Sequence, residues 1–426
     1  MGFRRDYSCG DLIHVLRQVG EKCIEWGECV WMASLDLEKA FDKIIHIAML
    51  EGLREAGVDE CTYQAIQRIY ADQCGYVQLE PELRSRFFSI LCGVRQGDPL
   101  SPILFTNTAR AGMQVLKEKW EAKRYGTLVG ANADIHRLTY VMFADDTTLI
   151  AKSRKALKQM LKDVITEMSK LGLNLNVDKC KVQCSQSVIR PRKVLEVNGV
   201  SLQVVDREEG FKVLGTTFTL DGSTKAEFES RLNAAWAKFH EMKPLLCKKD
   251  ANMNKRLRLF EASVSKTALW CADSWTLSVK QKRHLRAVQR AMLRRMVGPG
   301  RMPDEEYIPW IIRSTHIAED RARDAKVNCW LKQHLRLKWQ WAGKIANMNE
   351  ERWAYRLTAW RDSAWQSEHG AETGRPLRSR PGNRLRWEDD LRKYATSNGF
   401  GTWRTAALSN ATWHDHEDKF IECAWR

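Results

Sequence analysis

At 426 residues the chain is too long for one hydrophobic core, so two or three domains are expected. A hydrophobic share of 44%, no apolar run of membrane-spanning length and no signal-peptide core in GFRRDY after Met1 predict an intracellular globular protein rather than a membrane or secreted one. The net charge of +16 is lopsided: residues 1–224 carry 30 basic and 29 acidic side chains, whereas 225–426 carry 39 and 24 with 14 of the 17 tryptophans, so a polyanion is expected at the second half.

Residues Asp11–Trp26 place Leu12, Val15, Leu16, Val19 and Cys23 at helical spacing, which predicts an amphipathic helix. After Gly27, Cys29–Leu37 (CVWMASLDL) reads as a largely buried strand with Asp36 near its C-terminal end. A carboxylate there either caps a helix opening in EKAFDK or is presented as a ligand from a sheet rim. Helices follow over Ile44–Glu55 and Asp59–Tyr70, then strand-like GYVQLE and RFFSILCGV with a turn at Pro81. In GVRQGDPLSPILF, Gly93 to Phe105, the two glycines permit close backbone approach to a ligand. Asp98 and Pro99 read as the N-cap and first residue of a helix running to about Lys123, and Arg95 and Gln96 can aim donors at a phosphate or a base.

Tyr140–Lys152 (YVMFADDTTLIAK) predicts two short strands joined by a tight turn at Asp145 and Asp146. Two like charges at one turn repel, and divalent cations would neutralise them; a solvated acidic turn is the competing reading. A helix over Arg154–Leu171 and LGLNLNVDKCKVQC, a turn into a strand carrying Lys179 and Lys181, complete this half. From Thr224 to Val297 the pattern is helical with basic runs such as KQKRHLRAVQRAMLRR, and Gly298-Pro299-Gly300 marks a boundary. Beyond it Trp330, Trp339, Trp341, Trp353, Trp360 and Trp365 recur among Arg and Lys, and core packing is favoured over base stacking for them. Ser367–Asn383, rich in Gly, Arg and Pro, reads as an exposed linker. The twelve cysteines form no CxxC pair and read as reduced thiols, leaving a zinc site at His414, His416 and Cys423 as a disfavoured option.

Taken in order, SLDLEKAFD, GVRQGDPLSPILF, FADDTTLIA, LGLNLNVDKCKV and FKVLGTTF resemble the palm of reverse transcriptases, most nearly those of LINE-type (non-LTR) retrotransposons. The opening GFRRDYSCGD is similar to the segment just before the first catalytic strand of that palm. The resemblance implies an α+β fold, a right-hand polymerase palm (antiparallel sheet with packed helices) followed by a mainly α-helical thumb and C-terminal region. Residues 1–223 would be the palm with a remnant of the fingers and the primer grip, 224–297 the thumb lying along a template–primer duplex, and 298–426 a basic Trp-rich helical region. It further implies an RNA-directed DNA polymerase whose partners are an RNA template, a DNA primer and deoxynucleoside triphosphates.

In that scheme Asp36 and Asp145 hold two Mg2+ ions, with Mn2+ as a substitute, and Asp146 lies in the same carboxylate cluster. Phe41 would exclude a 2′-hydroxyl, while Arg95, Gln96 and Gly97 would line the nucleotide pocket. Lys179, or Lys181 beside it, would protonate pyrophosphate, and Leu214 and Gly215 would grip the primer strand. The matched pattern begins at the fingers–palm junction, without an endonuclease or zinc-knuckle pattern, so an incomplete polymerase is expected. A catalytically weak nucleic-acid-binding remnant and a group II intron maturase-like protein are the alternatives.

Overall fold

The computed structural model describes every residue except 1, 3–5, 26, 132–133, 187–193, 361–384 and 426. The chain gathers into two compact units, one holding Lys22–Leu214 and the other Ile13–Glu21 with Gly215–Ala359 and the described residues beyond 375.

The first unit is built on a six-stranded sheet. Its strands are β1 (Trp31–Leu35), β2 (Tyr140–Phe143), β3 (Asp146–Ala151), β4 (Lys181–Cys184), β5 (Val194–Val197) and β6 (Val200–Val205), in spatial order β5-β6-β4-β1-β3-β2. β1 is central and antiparallel to both neighbours, with Trp31 opposite Ala151 on one side and Cys184 on the other. All five of its residues are buried, which is why it reads as a continuous apolar run rather than an alternation. One pair, β4 with β6, is parallel, a departure from the wholly antiparallel sheet expected. The antiparallel β5–β6 hairpin causes it, because its second strand, not its first, lies against β4.

Around this sheet the first unit places α2 (His46–Glu55), α3 (Glu60–Tyr70), α4 (Ser101–Ala122) and α5 (Arg154–Lys170), preceded in the chain by α1 (Cys9–Glu25). Leu104, Phe105 and Met113 of α4 and Leu157 and Leu161 of α5 join Ala33 and Leu35 of β1 in one core. Asp163 of α5 fastens the two helices, accepting from the Trp120 indole at 2.9 Å and pairing with Lys119 at 2.8 Å. α1 ends at Glu25, and Trp26 lies outside the described residues.

Two local expectations are corrected. The helix after the RQG loop starts at Ser101 with Pro102 in its first turn, not at Asp98–Pro99. Asp98 instead closes the turn before it, its carboxylate accepting from the Leu100 N–H at 2.9 Å and its carbonyl from Ser101 at 3.2 Å. The strands expected near GYVQLE and RFFSILCGV shrink to pieces of two or three residues, because most side chains there are exposed and no facing layer rewards a longer ladder.

The described part of the second unit after Lys225 is helical, chiefly α6 (Lys225–Leu246), α7 (Val279–Val297), α8 (Tyr307–Asp324), α9 (Trp330–Ala346) and α10 (Glu417–Trp425). Its interior is aromatic: Trp275, Trp330, Trp339, Trp387, Phe239 and Phe260 are fully buried. Trp339 and Trp413 stack with centroids 3.5 Å apart, and each indole N–H donates to the other's backbone carbonyl, at 3.0 and 3.1 Å. The Trp330 indole donates to Ser265 Oγ at 2.8 Å. Trp330, Trp339, Trp341 and Trp360 are buried, as the core reading favoured, although the Trp341 indole N–H has no hydrogen bond, and Trp353 is half-buried. Trp365 and Ser367–Asn383 lie outside the described residues. No described helix is long and apolar enough to cross a membrane.

Candidate active site

Asp36 directly follows β1, and the register that sets Leu35 opposite Thr147 brings it to the same end of the sheet as Asp146. Its backbone is held from the other side: the Asn176 N–H donates to Asp36 O at 2.8 Å, and the Asp36 N–H points at Cys180 Sγ at 3.4 Å. The EKAFDK segment forms only one helical turn, Ala40–Lys43, whose N-cap is Lys39, so Asp36 caps nothing. Its Oδ2 is a buried atom with no hydrogen bond, and the nearest cation is the Lys179 ammonium at 3.4 Å. Cys180 and Asn176, which fix Asp36, escaped the sequence reading; nothing in LNVDKC marks them as its anchors.

The acidic pair divides between two kinds of position. Phe143 and Asp146 are the last pair of the β2–β3 ladder, so the turn proper is Ala144–Asp145 and Asp146 is already in a strand. Ala144 adopts φ 53 while Asp145 does not enter the left-handed region, so the two-residue hairpin has one left-handed position. An L-residue pays about 1–2 kcal/mol for that conformation, which glycine would avoid. The Asp146 carboxyl is pushed up to about 6, by its own burial first and then by the charge of Asp145; the Leu214 N–H opposes the shift, Asp36 adds to it and Lys179 subtracts. That N–H lies 3.3 Å from Asp146 Oδ2. Leu214 and Gly215 take successive left-handed conformations, φ 47 and 77, so the backbone turns sharply where the primer-grip motif was read.

The RQG loop is exposed at Arg95, Gln96 and Gly97. Gln96 Nε2 donates to Asp42 Oδ1 at 3.1 Å, which ties the loop to the turn carrying Phe41. Phe41 is half-buried, its ring stacked on Phe105 at 4.7 Å. Of the two candidate lysines, Lys179 lies in the turn before β4 and faces Asp36, whereas Lys181 is in β4 and donates to Gln203.

Among the described residues no three His, Cys, Asp or Glu side chains converge around one point as a closed metal cage. The donor set nevertheless fits a hard divalent cation: carboxylate oxygens at the ends of two adjacent strands, one of them, Asp36 Oδ2, buried without a hydrogen bond, and another, Asp146, pushed up by burial and then by the Asp145 charge. Mg2+ keeps several ligand positions for water and substrate phosphates, so a partial protein shell suits it.

A mixed α+β unit with carboxylates at the ends of adjacent antiparallel strands, one of them at a hairpin, has the layout of a right-hand polymerase palm. The family described as reverse transcriptase (RNA-dependent DNA polymerase) matches residues 1–218, and the chain belongs to it. Its relatives include Pol polyproteins of retrotransposable elements. It is 32% identical to a retrovirus-related Pol polyprotein of the R2 element of Popillia japonica, over 50% of this chain and 30% of that one. A putative uncharacterized transposon-derived protein of Caenorhabditis elegans is 27% identical over 65% of this chain and 94% of that one. The R2 polyprotein of Drosophila melanogaster is 29% identical over 53% and 21%. The chain thus spans less than a third of the R2 polyproteins it matches. Among solved structures, apo telomerase from Candida tropicalis aligns with a TM-score of 0.38 at 15% identity, over 82% of this chain and 55% of that one.

Proposed function

We infer that this chain carries the palm chemistry of an RNA-directed DNA polymerase of a retroelement, adding deoxynucleotides to a DNA primer on an RNA template inside the cell. The observation that carries the reading is the placing of Asp36, Asp145 and Asp146 at one end of β1 and β3, with a buried Oδ2 on Asp36 that makes no hydrogen bond and Asp146 pushed up to about 6 by burial and then by Asp145. Residues 1–223 serve as palm with part of the fingers and the primer grip, 224–297 as thumb, and 298–426 as a basic helical tail.

Asp36, Asp145 and Asp146 would hold magnesium, with manganese as a substitute; bound there, the ions lower the pKa of the primer hydroxyl and neutralise the triphosphate. The chain's own residues do the rest. Phe41, braced by Phe105, stands against the sugar and excludes a 2′-hydroxyl. Arg95, Gln96 and Gly97 line the nucleotide pocket, held to the Phe41 turn through Asp42. Lys179 holds a proton beside Asp36, positioned to pass it to departing pyrophosphate. Leu214 and Gly215 turn the backbone against the primer strand, with the Leu214 N–H steadying Asp146.

The test is primer extension on an RNA template by the purified chain, alone and supplemented with the upstream segment of an R2-type relative, alongside Mn2+ binding followed by water-proton relaxation. Synthesis and Mn2+ binding are both expected to vanish in Asp145→Asn and Asp36→Asn. Synthesis that survives Asp145→Asn, or a wild-type chain that binds no Mn2+, overturns the two-metal assignment.

A further inference from the structure

The basic excess of the second half is not spread evenly over its helices. On α7, Arg283, Arg286, Arg290 and Arg294 recur at intervals of three and four residues, which puts them on one stripe of the helix. The opposite stripe, including Leu285, Val288, Met292 and Leu293, is buried. Along the stripe, successive arginines four residues apart stand roughly 6 Å from one another at the rise of an α-helix. The stripe faces α8 across an open cleft of about 420 Å³, whose far wall includes Ile311, Ile312 and His316.

A second cleft of about 380 Å³ shares Arg286, Arg290 and Glu319 with the first and continues it past Arg323 and Lys332 to Trp425. The two form one trough in which six basic side chains face a single carboxylate. That carboxylate, Glu319, is paired with Arg290 at 2.6 Å, and Arg294 donates to Thr315 at 3.0 Å, so two guanidinium groups are held in place rather than swinging free. At the far end Arg286 lies 4.0 Å over the Trp425 ring and Lys332 lies 5.4 Å from its centroid. Ile312, on the wall opposite the arginines, is 53% exposed.

We propose that the α7–α8 trough, continued to Trp425, is a binding track for a single strand of nucleic acid. Charge points to a polyanion: of the six basic side chains Arg290 and Arg323 are paired, with Glu319 and Asp320, Glu319 is the one carboxylate lining the trough, and each phosphate the others neutralise releases a counterion. The apolar wall separates a single strand from a duplex. A duplex offers a protein its phosphates and sugars and keeps its base faces stacked, whereas an unpaired strand has base faces to lay on isoleucine and tryptophan. Arg283, Arg286, Arg290 and Arg294 line the α7 side of the trough, and Ile311 and Ile312 the α8 side, so phosphates and base faces of one strand can each find a partner. Phosphates and base faces are common to both, so single-stranded RNA and single-stranded DNA share the chemistry. The track uses α7 of the region proposed above as the thumb, but its test does not depend on polymerase activity.

The experiment is fluorescence anisotropy of the full chain with labelled oligo-uridine, oligo-deoxythymidine and a duplex of equal length, in chelator and without nucleotides, so the palm chemistry plays no part. Single strands are expected to bind more tightly than the duplex. Replacing Arg283, Arg286 and Arg294 together by Gln should weaken single-strand binding at least about tenfold and flatten the slope of log affinity against log salt by roughly 2, three phosphate contacts at about 0.7 each. The same three positions as Lys should keep the slope. Trp425→Ala should weaken binding with the slope unchanged, and oligo-bromouridine should photocrosslink to peptides of α8 or to Trp425 in the wild-type chain. Affinity and slope unchanged in the Gln variant, tighter binding of the duplex, or crosslinks confined to the first unit overturn the proposal. If the Gln variant fails to fold, the crosslink map decides alone.

Discussion

The Lys179 ammonium stands 3.4 Å from Asp36 Oδ2, while Lys181, two residues further on, turns to Gln203 on the neighbouring strand. The difference is one of register. Lys181 opens β4 and its side chain follows the pleat, whereas Lys179 sits in the turn before the strand, where the backbone leads back past Asp36. A single step in the chain therefore decides which amine can reach the carboxylate end of the sheet.

From this follows a separation of the two lysines. Lys179→Gln should slow nucleotide addition by about 100-fold, the lower range for loss of a general acid, with the deficit seen in the rate of the chemical step rather than in nucleotide binding. Lys181→Gln should stay within roughly twofold of wild type, having lost one exposed hydrogen bond. Rapid-quench primer extension distinguishes them, and equal effects would remove Lys179 from the proton-donor role.

Phe41 is half-buried against Phe105, so its substitution has two readable consequences. Phe41→Val should admit ribonucleotides into extended primers, seen as alkali-labile products. It should also cost roughly 1–3 kcal/mol of stability, from the apolar surface it stops burying. The loss of stability without any change in sugar preference would mark Phe41 as a core residue only.

The two glycines of the RQG loop share φ 89 but meet different surroundings. A Cβ at Gly93 would lie 2.7 Å from the carbonyl oxygen of Asp42, whereas one at Gly97 meets no atom within 4 Å. Gly93→Ala should push the loop off the Asp42 turn and destabilise the chain severely, by more than about 3 kcal/mol in urea unfolding. Gly97→Ala should cost only its backbone strain, about 1–2 kcal/mol, and fold normally. Its defect should appear instead as a higher KM for deoxynucleotides, since the added methyl occupies the pocket floor.

His334 in the second unit is buried and its Nδ1 lies 2.8 Å from the Ala272 carbonyl, which fixes the neutral tautomer with Nδ1 as donor. Burial first, and then the Lys338 charge, push its pKa down to about 3; the Ala272 hydrogen bond and Asp390 oppose the shift, and Lys282 adds to it. The unfolded ring takes a proton near 6.5 and the folded one does not. Stability is therefore fully present above that pH and is lost progressively as pH falls towards 3, since the unfolded state binds the extra proton. Urea midpoints of the wild type should decline between pH 6.5 and 4, and His334→Asn should flatten part of that decline. A parallel pH dependence in the variant would refute the assignment.

Much of the architecture was legible because it rests on local periodicity and on short patterns. The helical spacing at Leu12, Val15, Leu16 and Val19, the apolar run of β1 and the two hairpin strands appear where sequence placed them, although the hairpin turn falls one residue earlier than expected, at Ala144–Asp145. The motif order from Asp36 to Gly215 was enough to name the family, since those spacings follow from chemistry that needs particular residue types. Charge bookkeeping likewise located the basic half without any coordinates.

What the sequence could not supply were pairings between residues far apart in the chain, because no local rule carries a register across dozens of residues. That Asp36 ends a strand instead of capping a helix, that Cys180 and Asn176 hold it, and that Asp146 rather than Asp145 receives the Leu214 N–H depend on how β1, β3 and β4 align. The parallel β4–β6 pair and the late start of α4 at Ser101 were also settled by neighbours and not by propensity. The tryptophans show the same limit in energetic form. Their spacing allowed core or base stacking, and tertiary packing buried them, with the Trp339–Trp413 pair and Trp330 satisfying their indole N–H groups inside the fold.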